Sequence, residues 1–185
     1  MYRHLPLVML VLVAAVGCEH VNGNGIPDIQ QRRIESYSAI RFDGGFDDCT
    51  FRHADEPAVT ISGDENLLPH IDSEVRGDTL VIESEAHLWN ELPLRIAVEG
   101  PTIESIEVNG ACQVRLTDIQ TSKLDFRISG SGALRGNGSI DDFRIDISGS
   151  GDVWGKDIRA QSVSIDISGA GNAEVCAQQS LEVDI

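Results

Sequence analysis

The side chains with the most chemical potential are carboxylates at matched positions. Asp146, Asp166 and Asp184 each sit between two apolar residues, in Ile145-Asp146-Ile147, Ile165-Asp166-Ile167 and Val183-Asp184-Ile185. Carboxylates brought side by side can bridge a divalent cation, and a set of oxygen ligands favours calcium. The same pair facing a sugar could act as the acid and the base or nucleophile of a glycoside-cleaving site. Trp154, in Asp152-Val153-Trp154-Gly155, offers a ring on which a sugar could stack, although packing over its own turn is the commoner fate. Together these four residues are the candidate ligand or cation face. A solvated acidic surface is the plainer reading of the aspartates. No histidine follows His87, so no serine or cysteine downstream has a neighbouring base in sequence to activate it.

These aspartates must be positioned by a repeated element. Val108-Asn109-Gly110-Ala111-Cys112, Ile128-Ser129-Gly130-Ser131-Gly132, Ile147-Ser148-Gly149-Ser150-Gly151 and Ile167-Ser168-Gly169-Ala170-Gly171 are copies of one phrase, their first glycines separated by 20, 19 and 20 residues. Leu181 to Ile185 begins a fifth copy. Each copy carries apolar residues two apart: Ile106 and Val108, Phe126 and Ile128, Ile145 and Ile147, Ile165 and Ile167, Val183 and Ile185. Side chains of a strand alternate between faces, so these residues form one inward column, and a unit of this length buries a core only by stacking. Identical order in every copy favours coils running in one direction. The sequence thus predicts an all-β chain, a right-handed parallel β-solenoid (β-helix).

In such a stack the outward column reads Glu107, Arg127, Asp146, Asp166 and Asp184, with Arg127 placed to offset both neighbours. The adjacent column, Asp125, Arg144, Ser164 and Glu182, predicts a contact between Asp125 and Arg144. Asn109, Ser129, Ser148 and Ser168 form a polar corner ladder whose hydroxyls are expected on nearby backbone. Before the repeats, residues 37–100 read as short antiparallel strands at Ala39 to Phe42, Cys49 to Arg52, Ala58 to Ser62, Ile71 to Val75, Thr79 to Glu83 and Leu94 to Val98, with a helical turn beginning at Asp64.

Residues 1–17 have the Arg3, apolar run and small residues of a signal peptide, and that run is too short and too broken by Pro6 to span a bilayer. Ala14-Ala15-Val16-Gly17-Cys18 resembles a lipobox, which makes Cys18 the candidate lipidation site and membrane anchor, and Glu19 resembles the sorting residue of outer-membrane lipoproteins. Residues 18–36 read as a flexible tether. Within it, His20, Asn22, Asn24 and Asp28 have the spacing of a weak calcium loop lacking its first carboxylate. Residues 37–185 form a single domain, antiparallel strands over 37–100 and repeats over 101–185. An oxidising compartment leaves Cys49, Cys112 and Cys176: Cys49 and Cys112 are the candidate disulfide, and Cys176 is expected to be a small buried residue. The net charge of -16 argues against nucleic acid as a partner.

The lipobox, Asp64-Glu65-Asn66-Leu67-Leu68, Gly77-Asp78-Thr79-Leu80-Val81-Ile82 and above all the Ile-Ser-Gly-Ser-Gly series resemble the bacterial cell-envelope family of the autotransporter adhesin head domain, or head GIN domain. The resemblance covers about residues 37 to 185. It implies a β-helical envelope domain with no catalytic residues to carry over, and further coils beyond the fifth copy. The expected function is therefore a lipid-anchored, non-enzymatic binding domain of the bacterial envelope, at the outer membrane, showing repetitive faces to protein or glycan and needing no cofactor. A polysaccharide-degrading enzyme using Asp146 and Asp166, and a purely structural envelope protein, are the alternatives. A last strand with an open edge predicts edge-to-edge self-association.

Overall fold

The computed structural model describes residues 20–84 and 86–185. The expected signal peptide over residues 1–17 and the candidate lipidation site Cys18 lie outside them. Twelve strands follow in chain order: β1 (His20–Asn22), β2 (Pro27–Arg33), β3 (Ala39–His53), β4 (Ala58–Asp64), β5 (Ile71–Arg76), β6 (Thr79–Ser84), β7 (His87–Trp89), β8 (Arg95–Gly100), β9 (Ser105–Ile128), β10 (Ala133–Ile147), β11 (Asp152–Ile167) and β12 (Asn172–Asp184). The one helical turn among the described residues is a short 3-10 turn at Leu68–His70.

The repeats stack in parallel, as their identical residue order requires. β10 pairs with β11 from Ala133↔Asp152 to Ile147↔Ile167, and with β9 from Ala133↔Gln113 to Ile147↔Ile128. β12 continues the ladder along β11. The glycine phrases around Gly130, Gly149 and Gly169 form the corners between β9, β10, β11 and β12, separating the segment before each glycine, on a first face, from the segment after it, on a second. Ser129, Ser148 and Ser168 donate their backbone N–H to Val108, Ile128 and Ile147 of the preceding rung, at 2.8 to 2.9 Å.

The paired apolar residues point inward as their two-residue period demands. Ile106, Val108, Phe126, Ile145 and Ile147 are fully buried, Ile165 and Ile167 are 5% and 8% exposed, and Val183 on the last strand is 49% exposed. Burial therefore fades at the β12 end, where no further described strand covers the row.

Close stacking is why the corner must be glycine. A Cβ on Gly110, Gly130, Gly149 or Gly169 would lie 2.1 to 2.2 Å from the carbonyl oxygen of the glycine one rung earlier. No side chain fits at that separation, so each turn can settle onto the last only as bare backbone.

The region before the repeats departs from the expected antiparallel set. β3 is one continuous strand and runs parallel to β9, with Ala39↔Ser105, Gly44↔Gly110 and Thr50↔Arg115 in register. It also pairs in parallel with β6 and β8. Asp43-Gly44-Gly45 is thus another rung of the glycine stack, and the chain leaves after His53 and returns at β9. Antiparallel pairing is confined to β2 with β4, β4 with β8, and β5 with β6.

The expected tether over 18–36 also needs correction. Within it, β1 pairs with β7, and β2 pairs with β4 from Pro27↔Asp64 to Arg33↔Ala58. The buried carboxylate of Asp64 explains the hold: it accepts from the N–H of Gly25 at 2.7 Å and from those of Glu91 and Leu92 at 3.0 Å. Burial alone would raise its pKa, but the hydrogen bonds from Leu92, Gly25 and Glu91 outweigh it and hold the group below the usual carboxylate value.

Candidate functional site

On the first face, parallel pairing carries Arg127, Asp146, Asp166 and Asp184 into one outward row, through Asp146↔Arg127, Asp146↔Asp166 and Asp166↔Asp184. They line a small cleft of about 270 Å³ together with Arg144, Ser164 and Glu182. Asp146 is half-buried, while Asp166 and Asp184 are exposed. Arg127 stands in register beside Asp146 but comes within ion-pair distance of no described carboxylate. The expected Asp125 to Arg144 contact is replaced: the two are in register, yet Asp125 takes Lys123 Nζ at 3.0 Å from its own strand.

The polar corner ladder behaves as a set of local hydrogen bonds. Ser129 Oγ donates to Asn109 Oδ1, and Asn109 Nδ2 donates to Asp43 Oδ1 at 2.9 Å and to Glu107 Oε1 at 3.0 Å. Asparagine stands where later copies have serine because its amide reaches across to β3. Ser148 Oγ contacts the Ile128 carbonyl at 3.4 Å.

Among the described residues, three carboxylates within 4.8 Å of one another occur at Asp72, Glu74 and Glu83, not on the aspartate row. Arg76 already serves that trio, bonding Glu74 and Glu83 and pulling the Glu83 carboxyl below its usual range. Of the Asn22, Asn24 and Asp28 set, the Asn24 side chain is spent on structure. Asn24 Oδ1 caps the Ile26 N–H at 3.1 Å, its amide reaches Glu65, the Asn22 carbonyl accepts from Asn66, and Asp28 is exposed on β2.

Trp154 does not share the aspartate face. It lies beyond the glycine corner on the second face, in register with Arg135 and Glu174, while Arg135 is in register with Arg115. All four residues stand five places after a repeat glycine, a spacing that could have revealed the row. The Arg135 guanidinium covers the Trp154 ring, 4.1 Å from its centre, and so takes the surface a sugar would have used.

Cys49 and Cys112 are brought together and bonded, their Cα atoms 6.4 Å apart. Cys176 is free and exposed, which corrects the expectation of a buried residue: it stands in register with the outward Arg159. No helix among the described residues is long and apolar enough to cross a membrane.

A family described as "Putative auto-transporter adhesin, head GIN domain" matches residues 36–185. Among solved structures, the chain is similar to a "putative adhesin" from Bacteroides fragilis NCTC 9343, with 16% identity, a TM-score of 0.70 and coverage of 88% of this chain and 86% of that one. It is also similar to a "putative adhesin" from Parabacteroides merdae ATCC 43184, with 15% identity, a TM-score of 0.51 and coverage of 89% and 96%. No curated protein matches. At these identities the structural likeness speaks for the fold, whereas the match over residues 36–185 covers most of the sequence, and on it the chain belongs to the head GIN domain family of auto-transporter adhesin type.

Proposed function

We propose that this chain is a lipid-anchored, non-enzymatic binding protein of the bacterial cell envelope, whose parallel rungs wind as a right-handed β-solenoid and display repetitive faces to protein or glycan. The observation that carries this reading is the register of the outward rows. Arg127, Asp146, Asp166 and Asp184 on one face, and Arg115, Arg135, Trp154 and Glu174 on the other, project from a backbone locked by glycine stacking. A rigid array of evenly spaced side chains is suited to contact with an extended partner. Family membership supports a surface role of adhesin type. Cys18 in its lipobox supports attachment through acyl chains at the outer membrane.

The register of Asp146 and Asp166 favours one competing reading, a carbohydrate-active enzyme. An acid catalyst of that kind is normally kept protonated by burial. Here Asp166 is open to solvent, which supports the binding role instead.

Two measurements test the proposal. A Cys18→Ser variant should lose labelling by a fatty-acid analogue and leave the membrane fraction. Saturable binding of a partner from a panel of glycans and extracellular proteins supports the display role, and binding to none of them contradicts it.

A further inference from the structure

The second face carries cations that the fold itself does not use. The ion pairs among the described residues employ Arg41, Arg52, Arg76, Arg115 and Lys123, and Arg135, Lys156 and Arg159 enter none. Arg115 and Arg135 are exposed and directly in register, so two guanidinium groups project from adjacent strands about 4.8 Å apart. Like charges in that relation destabilise a sheet. Among the described residues, the carboxylate within ion-pair distance of the pair is Asp48, 3.8 Å from Arg115.

The placement is one that recognises anions. Arg135 lies against the Trp154 ring, which fixes the guanidinium plane and leaves its N–H edges free to fork onto a carboxylate or sulfate. Gly136 leaves the adjoining cleft of about 270 Å³ open beside Arg135, Trp154, Lys156 and Asp157. A second cleft of about 410 Å³ shares Lys156 and Asp157 and continues around the corner to Arg159, Asn137, Gln120 and Ser139. Two acidic groups face this surface. Asp118 is bonded to the Asn137 amide, and Asp157 remains; Glu174 borders it on β12. Four cations stand against these three carboxylates and Asp48 beside Arg115, in a chain of net charge -16.

We infer that Arg115, Arg135, Lys156 and Arg159 form a binding site for an acidic polysaccharide, a chain of sugar rings bearing carboxylate or sulfate. Cations spread over two clefts that share Lys156 and Asp157, with Arg115 in register beside Arg135, fit a repeating anion better than a single ion. The amide and hydroxyl groups of Asn137, Gln120 and Ser139 fit a hydroxyl-rich partner. Nucleic acid is disfavoured because its bases need an open ring to stack on and the Trp154 ring is already covered by Arg135, whereas an acidic saccharide is held through its charged groups. This inference rests on the display reading above and names the ligand class for one of its faces.

The test measures binding of the whole chain to oligogalacturonate, dextran sulfate, neutral dextran and polyglutamate, at low and at raised salt. The expected result is binding to one or both acidic saccharides, weakened by salt, absent for dextran and weaker for polyglutamate. The exposed double variant Arg115→Ala/Arg135→Ala should reduce that affinity at least tenfold with an unchanged circular dichroism spectrum. An Arg33→Ala variant, which removes an exposed cation on β2 far from this face, should bind as the parent does. The two acidic arms distinguish carboxylate from sulfate recognition. Acidic saccharide binding that survives the double arginine substitution overturns the inference, as does tighter binding to polyglutamate. No acidic saccharide binding while another partner from the wider panel still binds overturns it and leaves the display reading standing. Binding to nothing at all defeats both.

Discussion

The carbonyl oxygen of Gly44 lies 2.1 Å from the point where a Cβ on Gly110 would stand, although 66 residues separate the two in sequence. That relationship joins β3 to the repeats and recurs at every later rung.

Replacement of a corner glycine should therefore act on stability out of proportion to its size. Gly149→Ala sets a methyl group 2.2 Å from Gly130 O, and the rung must separate to admit it. The expected loss is about 3 kcal/mol, the upper end of overpacking costs. Gly45→Ala, with nothing within 4 Å of the added carbon, should change stability by less than about 0.5 kcal/mol. Denaturant unfolding of the pair measures both, and equal effects would show that close backbone stacking is not the constraint.

The cysteines should divide cleanly by reactivity. Cys176 is exposed and should label with iodoacetamide in the native protein, whereas Cys49 and Cys112 should label only after reduction. Peptide mapping by mass spectrometry reads each site. With 63 residues between its ends, the Cys49 to Cys112 link should contribute up to about 4 kcal/mol through the unfolded chain. Reduction should accordingly lower the unfolding midpoint, and labelling of Cys49 without reductant would contradict the pairing.

Acid should release the segment that Asp64 holds. Its carboxyl sits below the ordinary 3.8, and that of Glu83 below the ordinary 4.5. A depressed carboxyl stabilises the fold above its unfolded value, and the contribution is lost as pH falls through the folded value. Stability should hold from neutrality down to about pH 5 and then fall steadily below it. Asp64→Asn should lower the thermal midpoint by several degrees at pH 7 and flatten the acid limb. An unchanged pH profile in that variant would remove Asp64 from the account.

The 185-residue chain should associate through β12, which pairs with no described strand on its outer side. Leu181, Val183 and Ile185 are 55%, 49% and 90% exposed beside an unpaired row of backbone groups. Pairing with a second copy would cover both. Light scattering should show mass increasing with concentration, and Val183→Lys should suppress the increase. A monomer at all concentrations would show the edge to be protected.

The repeats were legible because two signals coincide in them, an apolar residue every second position and a glycine phrase every twenty. β3 was hidden because Asp43-Gly44-Gly45 lacks the serine of the phrase and the excursion through β4 to β8 separates it from its partner. β1 and β2 were hidden for a different reason. Edge strands bury few side chains, so polar residues such as Gln30, Gln31 and Arg33 carry no periodic signal, and the hold comes from main-chain bonds such as those to Asp64. The aspartate row was readable from register alone. The second row was not, because Arg115, Arg135, Trp154 and Glu174 differ in type although they share a spacing, and the contact of Arg135 with Trp154 exists only once the strands are paired.

The central claim, binding without catalysis, is tested most directly by incubating fluorophore-labelled polysaccharides with the chain and following retention and chain length in the same samples. The account predicts that at least one polysaccharide is retained saturably and recovered at its original length. Shortened products that disappear in an Asp146→Ala/Asp166→Ala variant with an intact fold would contradict it.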